Sequence, residues 1–260
     1  MRIFQGKEFT GNYLNRVFAD SRLGFTSVVV KRNITIQKEN SANYQGFLKP
    51  AAINMAKKFA GKWRTSLKNA SKQFGVDKDI IIALLLVESN CGKNTGKEIV
   101  MNVFTSIILE NQGNRRKEYE RELKDHPHKD KYLKRLQTKA KWAKNELKAL
   151  LVMKKEKKIK IHELKGSYAG AFGIPQFLPS SYLKWGYSGD KNSKIDLFFM
   201  PDAIYSVVNY LKAHGWKNGL TRKSKQKVLF SYNRSKAYVD AIMQIARKLK
   251  EMSPDTPKPG

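Results

Sequence analysis

The stretch Ile81–Gly92, IIALLLVESNCG, decides the architecture. Seven apolar residues run from Ile81 to Val87 without a polar break, and a carboxylate, Glu88, follows at once. A helix that is apolar on every side over two turns cannot turn any face to water, so the segment reads as a central buried helix. Asp77 suits its N-cap, and the helix is expected to run to about Glu88. No Lys or Arg stands between Asp79 and Lys93 to offset the partial desolvation that Glu88 meets there. Desolvation disfavours the charged form of a carboxyl, so the position favours an acid that holds its proton. Such an acid can protonate a leaving-group oxygen, the general-acid task in glycoside cleavage. A Glu that merely caps or surfaces at a helix end is the plain alternative, and on this segment alone it is the preferred reading.

The pattern around this helix is also helical. PAAINMAKKFAGKWRTSLKNASKQFG spaces Ile53, Ala56, Phe59, Trp63 and Leu67 three to four residues apart, with Pro50 opening the run and Gly75 closing it. A further helix is expected near Glu98 to Leu109, after the turn GKNTGK. Residues 115–160 form a long charge-laced helical stretch that Pro127 should split. Within 117–160 stand 16 Lys+Arg against 7 Asp+Glu, a net +9. That excess fits either a pair of solvated helices or an electrostatic handle for an anionic substrate. MPDAIYSVVNYLKAHGW begins with Pro201 and Asp202 in its first turn and ends at Gly215, and FSYNRSKAYVDAIMQIARKLK supplies a last helix. Residues 1–50 mix β-branched runs, TSVVV and ITI, with polar breaks, and predict an irregular wrap with one or two short extended pieces. Strand signals are too few for a large sheet, and the tail SPDTPKPG is expected to be disordered.

Bulk composition bounds the function. The 260 residues can bury a substantial core as one large domain or two closely associated lobes. With 51 Lys+Arg against 22 Asp+Glu the chain carries +29, which attracts polyanions: nucleic acid, acidic lipid or an anionic cell-wall polymer. A single cysteine, Cys91, excludes an internal disulfide and a Cys-based zinc site. No stretch reaches the roughly 18 apolar residues of a membrane span. The start, MRIFQGKEF, lacks the apolar core of a signal peptide, so an exported form is expected to have lost its signal from this numbering.

Four segments then occur in a fixed order: VESNCGKNTGK, LKGSYAGAFGIPQFLPSSY, PDAIYSVVNYLKAHGW and SYNRSKAYV. Together they resemble the membrane-bound lytic transglycosylase B family of murein-cleaving enzymes, and RVFADSRL and NYQGFLKP look like that family's N-terminal region. The resemblance covers most of the chain and implies a mostly α, lysozyme-like helical domain with a substrate groove and a few short extended segments. Its expected organisation is an N-terminal wrap over 1–50, a catalytic domain over 51–250 with a Lys-rich helical insertion near 117–145, and a tail over 251–260.

The resemblance implies Glu88 as the catalytic acid, from the family's V-E-[TS] segment. It implies Ser167 and Gln176 beside the scissile bond, Tyr232 and Asn233 lining the same site, and, on a looser match, Arg115 and Arg116 touching peptide or glycan. The residue chemistry is compatible: Ser, Gln, Asn and Tyr bond sugar hydroxyls and acetamido groups without adding charge. Small residues from Gly166 to Gly173 let backbone amides come close to a sugar. The implied partner is the peptidoglycan glycan strand, in a periplasmic or secreted monomer that adheres to the anionic envelope, with no cofactor and no nucleic acid. The implied reaction gives 1,6-anhydromuramic ends. Should water reach the sugar carbon first, the same apparatus would act as a hydrolytic muramidase, on native or N-deacetylated glycan.

Some features depart from the family. Cys91 stands where relatives often carry a bulky aromatic, and Asn90 where some carry Arg, which points to a more open site floor. The Lys-rich segment is longer than in relatives and is expected to add a wall-binding surface or a lid. Cys91 as a nucleophile with His162 or His214 as base has no local signature, and a partly buried inert thiol is the preferred reading. SGDKNSKID, Ser188–Asp196, faintly resembles a calcium loop but lacks its central Gly and terminal Glu, so no metal is assigned. Two rivals remain: a nucleic-acid-binding protein, which would leave the ordered Glu, Ser, Gln and Tyr-Asn set without a task, and a non-catalytic wall-binding protein.

Overall fold

The structure is a computed structural model that describes residues 4, 6, 8–35, 40–190, 192 and 194–251. In chain order its elements are α1 (Gly11–Phe18), α2 (Ser27–Ile34), a 3-10 helix (Ser41–Leu48), α3 (Pro50–Lys62), α4 (Arg64–Phe74) and α5 (Lys78–Ser89). There follow β1 (Glu98–Ile99), α6 (Val100–Glu110), α7 (Gly113–Glu122), α8 (Lys129–Lys157), β2 (Lys165–Gly166), α9 (Pro179–Trp185), α10 (Met200–Ala213), α11 (Arg222–Tyr232) and α12 (Lys236–Glu251). The fold is mostly α, and the one sheet among the described residues is the antiparallel pair β1–β2, with Glu98 opposite Gly166 and Ile99 opposite Lys165. No helix among the described residues is long and apolar enough to cross a membrane.

The chain divides into two compact units. The first takes its described residues from 1–36, 96–172 and 177–183, the second from 37–95, 173–176 and 184–260.

In the first unit α6 and α8 pack along each other, and α2 packs on both. Helix α6 buries Val100, Val103, Phe104 and Ile107, while α8 answers with Leu136, Ala140, Ala143, Leu147, Leu150 and Leu151, three or four residues apart. The Lys-rich segment is therefore amphipathic and contributes to a core, rather than being a solvated appendage. The break before α8 falls at Pro127, as the sequence predicts.

The described residues of 1–50 are mostly helical, in α1, α2 and the 3-10 helix, and no strand appears among them, where the sequence predicts an irregular wrap with short extended pieces. TSVVV enters α2, whose buried Val29, Val30, Asn33 and Ile34 recur at helical spacing against α6. β-branched residues lower helix propensity only slightly, and packing of an apolar face overrides it. Ile36, the end of the ITI run, lies outside the described residues, as does the tail from Met252.

In the second unit α5 is the buried centre: Ile80 to Leu86 are all buried, so no face meets solvent. Helices α3 and α12 pack on it, α12 also packs on the 3-10 helix, and α10 packs on α4. The run that reads as one helix from Pro50 breaks at Trp63 into α3 and α4. Gly75 ends α4 in the left-handed conformation at φ 69°, which a residue without Cβ adopts without strain. Asp77 precedes α5 but gives no side-chain cap; its carboxylate accepts instead from Lys225 Nζ at 2.5 Å.

Candidate active site

Glu88 is the penultimate residue of α5, half-buried at the point where the all-apolar helix stops. The chain leaves the helix abruptly: Asn90 and Cys91 lie in the left-handed region at φ 54° and 57°, and Gly92 follows at 88°. This turn is held by Cys91 N–H on the Leu85 carbonyl at 2.9 Å and Asn94 N–H on the Ser89 carbonyl at 2.8 Å. Ser89 Oγ accepts from Gly92 N–H at 3.0 Å, closing it further. The buried carbonyl ends of the helix are thus satisfied by the turn, and the Glu88 side chain is left to other partners.

One such partner is a phenol. Tyr238, in the first turn of α12 and 1% exposed, donates its hydroxyl to Glu88 Oε1 at 2.5 Å. Burial, and next the neighbouring Glu88 charge, push the Tyr238 phenol well above its ordinary value of 10.0, so it stays a neutral donor. Tyr44 packs edge-on against that ring, with centroids 6.0 Å apart. Tyr232, at the end of α11, behaves alike: burial first and Glu88 second raise its phenol, and its hydroxyl donates to the Pro175 carbonyl at 2.6 Å. Behind it Tyr210 stands edge-on at 4.8 Å, itself stacked on His214 and donating to the Ser231 carbonyl.

Gln176 completes this side. It holds a left-handed conformation at φ 51°, which in a residue with a Cβ stores roughly 1–3 kcal/mol of strain and tends to mark functional positions. Its Nε2 donates to the Thr95 carbonyl at 3.1 Å and to the Gly173 carbonyl at 2.9 Å. With both amide hydrogens engaged, the side chain offers its Oε1 as an acceptor for a sugar hydroxyl or N–H. Asn233 caps α11, its backbone N–H on the Leu229 carbonyl.

Glu88, Gln176, Tyr232 and Asn233 belong to the second unit, whereas Ser167, Arg115 and Arg116 belong to the first. Ser167 stands just after β2, where its backbone N–H donates to the Ala171 carbonyl at 2.7 Å and its Oγ accepts from Ala171 N–H at 3.2 Å. The loop is tight enough that a Cβ on Gly166 would lie 2.3 Å from the Ala171 carbonyl oxygen. Arg115 lies over the Phe25 ring at 3.5 Å, and Arg116 bonds Glu120 and Asn111, so both arginines are engaged within their own unit.

The sequence reading missed Tyr238. Its signal lay in the last segment, SYNRSKAYV, six residues past Tyr232 and on the buried face of the amphipathic α12 with Val239, Ile242 and Ile245.

Other candidates resolve as structural. Burial pushes the Cys91 thiol up to about 12, which leaves it protonated and inert. His162 places Nε2 on the Val17 carbonyl and His214 places Nδ1 on the Tyr210 carbonyl. In the Ser188–Asp196 loop the buried Asp202 holds both ends, its oxygens accepting from Gly189 and Asp196 N–H at 2.7 Å each. No group of three His, Cys, Asp or Glu among the described residues is placed to hold a metal ion.

The end of α5 thus gathers, within one unit, the Glu88 carboxyl, the buried phenols of Tyr232 and Tyr238 and the left-handed Gln176. Residues 2–226 match the family model of the transglycosylase SLT domain, and the chain belongs to that family. It is 28% identical over 173 residues to membrane-bound lytic murein transglycosylase B of Escherichia coli K12, covering 66% of this chain and 41% of that protein. The match thus spans about two fifths of the curated relative's length. Among solved structures, soluble lytic transglycosylase SltB1 from Pseudomonas aeruginosa superposes with a TM-score of 0.78, 22% identity and 96% coverage of both chains. Slt35 of Escherichia coli, solved with bulgecin A, gives 0.76 at 19% identity, covering 96% of this chain and 90% of that one. SltB3 from Pseudomonas aeruginosa, solved with NAG-anhNAM-pentapeptide, gives 0.74 at 18% identity, covering 92% and 74%. These likenesses establish the fold.

Proposed function

We propose that this protein cleaves the β-1,4 bond between N-acetylmuramic acid and N-acetylglucosamine in peptidoglycan, as a lytic transglycosylase. The observation that carries the reading is Glu88 itself: a half-buried carboxyl at the end of an all-apolar helix, held by a neutral phenol on Tyr238. Membership of the transglycosylase SLT family supports it, as does the relative SltB3, solved with a fragment named as anhydromuramoyl.

Protonated Glu88 gives its proton to the glycosidic oxygen as the bond from that oxygen to muramic C1 breaks, and the oxygen leaves as the 4-hydroxyl of N-acetylglucosamine. The charge developing at C1 is met by the substrate's own 2-acetamido oxygen, as in substrate-assisted glycosidases, so no second protein carboxylate is required. Glu88, now ionised, takes the proton of the muramic C6 hydroxyl, and O6 attacks C1 to close the 1,6-anhydro ring. The enzyme ends in its starting protonation state.

Tyr238 orients the carboxyl through both steps, since its phenol does not ionise near neutral pH. Gln176, Tyr232 and Asn233 position the sugars, with Ser167, Arg115 and Arg116 as further glycan or peptide contacts. The peptidoglycan strand is the partner, and the cell envelope is the place of action.

The test is a digest of purified peptidoglycan, native and N-deacetylated, with wild type and Glu88→Gln, read by mass spectrometry after borohydride reduction. Fragments lighter by one water and resistant to reduction, absent with the variant, are expected. Reducible ends would make the protein a hydrolytic muramidase, and no fragments at all would sink the catalytic reading.

A further inference from the structure

One face of α8 carries a stripe that the catalytic reading leaves without a task. Lys131, Lys134, Arg135, Thr138, Lys139 and Trp142 recur three or four residues apart and line an open groove of about 490 Å³ in the first unit. From 131 to 145 the chain holds six Lys+Arg and no carboxylate. The next acid, Glu146, is turned inward, its oxygens accepting from Ser180 N–H at 3.0 Å and Ser180 Oγ at 2.8 Å. No ion pair joins the cations of the groove to a carboxylate among the described residues. Arg135 Nε is buried with no hydrogen-bond partner among them, although a guanidinium nitrogen in the interior normally has one. Lys131 and Arg135, and again Arg135 and Lys139, are like charges one turn apart, an arrangement that disfavours the helix until an anion lies across it.

The side chains present narrow the anion. Membrane-surface helices press an apolar face into the lipid, and none of the large exposed apolar residues of the described chain lies on α8. Strands of nucleic acid need bare aromatic faces for their bases, whereas the Trp142 ring has Lys139 Nζ over it at 4.5 Å and the Phe104 ring at its edge. What remains is a polymer recognised by charge alone, and Arg135 suits a planar carboxylate with paired donors. Burial lowers the Lys139 ammonium below its ordinary value, which a bound anion would reverse.

We propose that this α8 groove is a second hold on the substrate, binding the carboxylates of peptidoglycan stem peptides. The proposal rests on the peptidoglycan reading for its choice of polymer. The hold belongs to the unit that does not contain Glu88, and it keeps the enzyme on an insoluble strand between cleavage events.

The experiment is a co-sedimentation assay in the Glu88→Gln background, so that the polymer stays intact. Intact peptidoglycan is compared with peptidoglycan stripped of its stem peptides. One variant combines Lys131→Gln, Lys134→Gln, Arg135→Gln and Lys139→Gln; these relieve like-charge repulsion, and circular dichroism checks the fold. A second variant removes four exposed lysines elsewhere by Lys58→Gln, Lys68→Gln, Lys72→Gln and Lys223→Gln, matching the charge change. The groove variant is expected to bind intact peptidoglycan about tenfold more weakly with a shallower salt dependence, given the modest contribution of each exposed charge pair. The matched variant should lose clearly less, and the difference should vanish on stripped glycan. Equal losses in the two variants would make net charge the cause and overturn the proposal, as would an equal loss on stripped glycan. The proposal also fails if the groove variant loses binding to phosphatidylglycerol vesicles or a single-stranded oligonucleotide but keeps it on peptidoglycan. Fragment release by the wild type is read separately, so the failure of the catalytic reading is distinguishable from failure of the groove.

Discussion

Glu88 accepts a hydrogen bond from the Tyr238 phenol, and this partner has consequences at the scale of single residues. A cation would fix the carboxyl in its ionised form, whereas a neutral donor serves the acid and the base step alike. Tyr238→Phe keeps the buried ring and removes the donor to Glu88. A hydrogen bond to a charged group contributes about 1.5–3 kcal/mol, so kcat for fragment release should fall by roughly 10- to 100-fold, with a loss of about 5–10 °C in melting temperature and no change in the circular-dichroism spectrum. An unchanged kcat would show that the phenol does not orient the acid. Cys91 gives an independent check. With its thiol pushed up to about 12, the native protein should resist iodoacetamide at pH 8 and react fully only when unfolded. Rapid native labelling, followed by mass spectrometry, would contradict the burial described for that turn. Glu88, Gln176 and Tyr232 were legible as candidates because ordered motifs surround them. Tyr238 was not, because its role comes from the packing of α12 on α5, which no local pattern states.

Among the elements, α5 was the most legible and α2 the least. An apolar run with no polar break leaves burial as the only outcome for α5, whereas TSVVV satisfies a strand and a helix equally until its neighbours are known. The side of α2 that packs on α6 settles the matter, and that information is not local. The division of the run from Pro50 at Trp63 also escaped the sequence reading, although Gly61, in the last turn of α3, stands two residues before it. Burial of α5 predicts its sensitivity: Leu85, 0% exposed, should cost about 2–5 kcal/mol when replaced by Ala, measured by urea unfolding. Less than 1 kcal/mol would mean the helix is not the centre of its unit. At the start of β1 the backbone itself is the constraint. Gly96 sits at φ 91°, and a Cβ there would lie 2.1 Å from the Gly166 carbonyl group. Gly96→Ala is expected to destabilise the fold by about 2 kcal/mol or more and to disturb the Ser167 loop, seen as a loss of fragment release together with a lower melting temperature.

Across the whole molecule the buried phenols set an alkaline limit. Tyr210, Tyr232 and Tyr238 are all raised above 10.0 chiefly by burial. Below pH 10 they are protonated in folded and unfolded chains alike, and their stabilising burial is fully present. Above it the unfolded chain releases protons that the folded chain keeps, so stability falls as pH rises. Melting temperatures measured from pH 8 to 11 should decline steeply beyond about 10, and a flat profile would show that these rings are not buried as described.

The division into two units has a consequence for synthesis. The polypeptide passes from one unit to the other five times, after residues 36, 95, 172, 176 and 183. Neither unit is a continuous segment, so a nascent chain cannot close the first until residue 183 has left the ribosome, and α1 and α2 must wait for α6 and α8 to be made. The apolar α5 is translated long before α12, which packs on it, and spends that interval without this cover. A cell making this protein therefore has an apolar helix face to shelter during elongation, and a fragment truncated before Lys236 would leave the side of α5 that α12 covers bare for good.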